Sequence, residues 1–61
     1  MKYIITIEAN NTTINKLKCG FNIKCNKSNY LKFKFNGDII EFLDYMYDNK
    51  LKYNKLILKQ Y

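Results

Sequence analysis

The chain has no arginine, histidine, tryptophan or proline among its 61 residues, and only two cysteines, two glycines and one alanine. Each absence removes a class of chemistry. Without histidine there is no side chain that ordinarily exchanges protons near neutral pH, and no imidazole for a metal. Two cysteines would need carboxylates to complete a four-ligand zinc site, so no metal is expected. No nucleophile sits beside a base and no two carboxylates converge, so the chain is expected to be no enzyme, with no catalytic residue and no cofactor. No apolar run approaches the roughly 20 residues of a membrane span, so no membrane partner is expected. Residues Met1-Lys2-Tyr3-Ile4-Ile5-Thr6-Ile7-Glu8 are too short and too interrupted for a signal core, which makes the cytoplasm the expected compartment.

What is present is short and basic. Residues 1–61 make a single domain, and a chain of this size buries only about 60% of the surface it exposes when unfolded. With no disulfide scaffold in view, self-association is the reinforcement expected, as a homo-oligomer. The formal charge is +6. Lysine, asparagine, isoleucine, tyrosine, phenylalanine and leucine together supply 44 of the 61 residues. These are AT-rich codons, and a strongly biased genome, such as that of a low-GC phage or other mobile element, produces this profile without selection for a basic surface. Only the placement of the lysines therefore carries information.

Residues 3 to 9 alternate, with Tyr3, Ile5, Ile7 and Ala9 on one side and Lys2, Ile4, Thr6 and Glu8 on the other, which predicts a first strand. Asn10 to Thr13 reads as a turn. From Lys16 to Cys25 the chain alternates without a break, placing Leu17, Cys19, Phe21, Ile23 and Cys25 on a buried side and predicting a long second strand with a bend at Gly20. After a turn at Asn26–Asn29, Tyr30 to Phe35 alternates again and closes a hairpin with it. Asp38 is a natural N-cap with Glu41 three positions on, as in a capping box. Residues 39 to 50 then fit a helix with Ile39, Ile40, Leu43, Met46 and Tyr47 on its inward arc. A last strand is centred on Leu56-Ile57-Leu58. The expected fold is α+β, a β-β-β-α-β chain whose mainly antiparallel sheet is covered on one face by one helix.

Charge is segregated in this scheme, and codon bias explains the number of lysines but not their separation from the acids. Lys16, Lys18, Lys24, Lys32 and Lys34, with Tyr30, are expected on the open sheet face, a candidate nucleic-acid platform. The plain alternative is a solvating layer that discourages edge-to-edge aggregation. Glu41, Asp44 and Asp48, with Tyr45 between them, are expected on the outer helix face, a candidate surface for a basic partner or else an ordinary solvated helix face. Cys19 and Cys25 are expected inward as small hydrophobes, about 20 Å apart on one strand. Tyr3 and Tyr47 suit the core, whereas Tyr30, Tyr45, Tyr53 and Tyr61 suit an interface.

The stretch from Asp38 to Tyr47, followed by Tyr53 and a basic end, looks like the closing helix of LAGLIDADG-type homing-endonuclease subdomains. The likeness covers less than half the chain. The paired-acid helix that gives that family its activity is absent, so neither the family nor a nuclease activity is carried over. The leading expectation is a small, non-enzymatic protein of phage or mobile-element type that binds a host protein or protein complex and inhibits or redirects it. The alternatives are a sequence-tolerant DNA- or RNA-binding protein and a self-assembling structural subunit.

Overall fold

The computed structural model describes all 61 residues. The chain runs β1 (Lys2–Glu8), α1 (Asn11–Gly20), β2 (Tyr30–Asn36), α2 (Ile39–Asp48) and β3 (Lys55–Gln60). The class is α+β, but the order is β-α-β-α-β with two helices. The sheet has three strands in the order β2-β1-β3, and both pairings are antiparallel. β1 is therefore the central strand, and β2 and β3 run the same way along its two edges.

The expected turn at 10–13 and long strand at 16–25 are instead α1 and an irregular segment. Asn10 is an N-cap in extended conformation, and its side chain accepts a hydrogen bond from the Thr13 amide at 2.9 Å. Thr13, Ile14 and Leu17 are buried at helical spacing, one face of a 3.6-residue period. Asn22 (φ 54°) closes α1 in the left-handed conformation, and the Ile23 amide donates to the Lys18 carbonyl at 2.9 Å, the long bond of a Schellman motif. The alternation beyond the helix survives as burial without a ladder: Phe21, Ile23 and Cys25 are half-buried, whereas Asn22, Lys24 and Asn26 are exposed. The hairpin expected between the second and third strands is absent, because residues 11–20 are spent in α1 and the segment after it forms no ladder with β2, whose outer edge stays unpaired. Cys19 is exposed on α1 rather than inward, Cys25 is half-buried, and both are free.

β1 and β2 follow the period-two reading, whereas in β3 only Leu56 is half-buried and Ile57 and Leu58 are both exposed. Ile5, Ile7 and Ala9 are buried on one side of β1, with Tyr3 half-buried beside them, and Leu31, Phe33 and Phe35 of β2 share that side. Ile14 and Leu17 of α1 and Phe42 and Met46 of α2 complete the same cluster. Both helices thus lie on one face of the sheet, and the other face is open.

Asp38 caps α2 as expected, its carboxylate accepting from the Ile40 amide at 3.0 Å. The expected capping box is not formed: the Asp38 carboxylate accepts from Ile40 rather than Glu41, and no bond returns from the Glu41 side chain. α2 is rotated relative to the expected arc. Ile39, Phe42, Tyr45 and Met46 turn inward, whereas Ile40 is 54% and Tyr47 83% exposed. Two features set that rotation. Phe42 fills the space under Phe21, Phe33 and Phe35, with ring centroids 5.6 to 6.3 Å away. Tyr45 reaches across to α1 and donates its hydroxyl to the Lys16 carbonyl at 3.0 Å.

Candidate functional site

The open face of the sheet follows from the pairing register, because residues directly opposite across antiparallel strands project to the same side. Lys34, Ile4 and Lys59 form one row, Lys32, Thr6 and Ile57 the next, and Tyr30, Glu8 and Lys55 a third. Lys2 and Asn36 make the fourth row. There the Tyr61 amide donates to the Lys2 carbonyl at 3.0 Å and continues the ladder, placing Tyr61 on the open face. Five lysines (Lys2, Lys32, Lys34, Lys55 and Lys59) and two tyrosines thus share the face with a single acid, Glu8. Its middle is apolar or neutral, with Ile4, Thr6 and Ile57.

Both rings lie near an ammonium group. Lys34 Nζ is 6.0 Å from the Tyr61 ring centroid, and Lys27 Nζ, from the loop before β2, is 4.8 Å from that of Tyr30. A cation beside an aromatic face is a pairing suited to a phosphate next to a stacked base.

Of the residues expected on the basic sheet face, Tyr30, Lys32 and Lys34 occupy it. Lys16, Lys18 and Lys24 do not. Lys16 and Lys18 belong to α1, in the layer that covers the opposite side of the sheet, and Lys18 Nζ donates to the Lys27 carbonyl. Lys24 lies in the segment after α1. Lys2, Lys55, Lys59 and Tyr61 take their places. The signal for them was the shared parity of Lys55, Ile57, Lys59 and Tyr61, together with Lys2 on the polar side of the first strand.

On α2, Glu41, Asp44 and Asp48 are exposed along the side away from the sheet. Tyr45 does not join them. Its ring is half-buried, with its centroid 5.0 Å from that of Phe21. The helix instead exposes an apolar strip, Ile40, Leu43 and Tyr47, beside the acids. The strip leads into a groove of about 520 Å³ bounded by Met46, Leu51, Tyr53 and Leu56, with Lys50 and Lys52 also in its wall.

No three cysteine, aspartate or glutamate side chains come together where they could hold a metal ion. No helix is long and apolar enough to cross a membrane. No protein-family model, no curated protein and no solved structure matches the chain.

Proposed function

We propose that the chain is a small, non-enzymatic binding protein whose open sheet face takes single-stranded nucleic acid with little sequence preference. The observation that carries this reading is the gathering of five lysines and two tyrosines on the one uncovered face. The lysines supply backbone contacts along the sheet, and Tyr30 and Tyr61 supply platforms for two bases. Lysine without arginine favours point contacts to phosphates over bidentate readout of base edges, consistent with sequence tolerance. A flat face also offers no helix or ribbon to enter a duplex groove, which favours the single strand.

Fluorescence anisotropy of a labelled oligonucleotide tests it. With about −0.7 in log–log slope per phosphate, five contacts give about −3.5, or about a hundredfold loss of affinity from 50 to 200 mM salt. The triple variant Lys32→Glu, Lys34→Glu, Lys59→Glu should abolish binding. Affinity that is flat in salt, or that survives the triple variant, sinks the reading.

A second reading is a phage-type protein that binds and inhibits a host protein complex. It is favoured by the unbroken exposed row Glu41, Asp44 and Asp48. Converting all three to lysine should remove capture of host proteins by the immobilised chain, and undiminished capture counts against it.

A further inference from the structure

We propose that the apolar strip of α2 and the groove beside it form a two-fold interface with a second copy of this chain. Leu43 is 36%, Ile40 54% and Tyr47 83% exposed, and Tyr53 across the groove is 49% exposed. Three large apolar side chains at i, i+3 and i+7 on one helix, continuous with a groove, make more uncovered apolar surface than a solvated helix face requires.

The order of charge around this surface selects the occupant. Going round α2 from the strip, the next side chains are Asp44 and Asp48, whereas the groove on the strip's other side is lined by Lys50, just past the end of α2, and Lys52. The surface is therefore apolar in the middle, acidic on one border and basic on the other. A two-fold axis along the strip carries the acidic border of one copy onto the basic border of its partner, while the apolar centres meet. The surface is complementary to itself. A foreign partner would need the same charge order reversed; a second copy already has it.

The shortage of core points the same way. Only nine of the 61 residues are buried, and both cysteines are free. A chain below about 70 residues commonly needs reinforcement beyond its own core. A standard interface takes about 800 Å² from each partner, under a fifth of the 4510 Å² surface. The open sheet face lies on the opposite side of the sheet and stays free, so this inference stands apart from the nucleic-acid reading.

The test is charge reversal with rescue, read by sedimentation equilibrium. Wild type should dimerise with a concentration-dependent mass. The variants Asp44→Lys, Asp48→Lys and Lys50→Glu, Lys52→Glu should each sediment as monomers while keeping the wild-type circular dichroism spectrum. Mixed in equal amounts, the two should recover a dimer of one copy of each, because the reversed borders again match. A wild-type chain that stays monomeric up to about 1 mM overturns the proposal and leaves the strip to a foreign partner. Dimers that persist in both variants, or a mixture that stays monomeric, overturn it as well. If a variant loses its spectrum, Tyr47→Ser provides the same reading from the apolar centre, with dimer loss expected and dimer retention overturning the proposal.

Discussion

Tyr45 is held at both ends. Its hydroxyl bonds the Lys16 carbonyl and its ring packs on Phe21, so it is a structural tie between the two helices. Gly20 makes the approach possible, since a Cβ at that position would collide with the Tyr45 hydroxyl and ring. Tyr45→Phe should cost about 1 kcal/mol by removing this bond between the helices, and it should leave oligonucleotide affinity unchanged. Chemical denaturation beside the anisotropy titration checks both halves. A lost affinity with unchanged stability would mean that Tyr45 works at a binding surface after all. At this scale the Asp38 cap was legible because Asp before an apolar run is a local signal. The role of Tyr45 was not. It depends on a carbonyl 29 positions away, and codon bias makes tyrosine common throughout the chain.

Among the elements, β1 and β2 were legible because period-two alternation coincided with burial on one side. The stretch 16–25 misled because two periods overlap in it. Leu17 and Phe21 satisfy both a strand and a helix, and Cys19 distinguishes them by being exposed. Asn10 followed by Thr13 and Ile14 was the available helix signal, and it was read as a turn because asparagine serves both purposes. Phe21 takes part in more ring–ring pairs than any other aromatic side chain. It leaves α1 and meets Phe33, Phe35, Phe42 and Tyr45 with centroids 5.0 to 6.2 Å away, joining both helices to β2. Phe21→Ala should cost about 3 kcal/mol, a large share of the stability of so small a domain, whereas Cys19→Ser should cost almost nothing. Thermal unfolding compares them, and similar melting temperatures for the two would contradict this packing. Thr13 adds a second join, donating its hydroxyl to the Lys52 carbonyl at 2.8 Å and fixing the loop that forms one wall of the groove.

For the whole molecule, the candidate nucleic-acid face was half legible. Tyr30, Lys32 and Lys34 lie on one strand whose outward parity is plain in the sequence. Lys55, Lys59 and Tyr61 have the same parity among themselves, but nothing local says that their strand lies beside β1 with its polar side facing the same way. Strand order is set by which apolar faces the two helices can cover together, and that is a property of the assembled core. The same limit hid the apolar strip, since the inward arc of α2 is fixed by Phe21 and Tyr45 rather than by α2 alone. The acidic outer side of α2 and the basic open face do end up on opposite sides of the molecule, as the separation of acids from lysines implied.

The placement of β1 at the centre of the sheet has a kinetic consequence. β1 is made before both of its partners and cannot be fully paired until β3 emerges, because Ile5 lies opposite Leu58. Closing that pairing spans nearly the whole described chain, so the ordering cost comes before most of the reward and folding is slow for a chain this short. Until then β1 carries an open apolar edge next to its already available partner β2. Throughout that interval Lys2 of β1 with Lys32 and Lys34 of β2 act as a guard against pairing with another nascent copy.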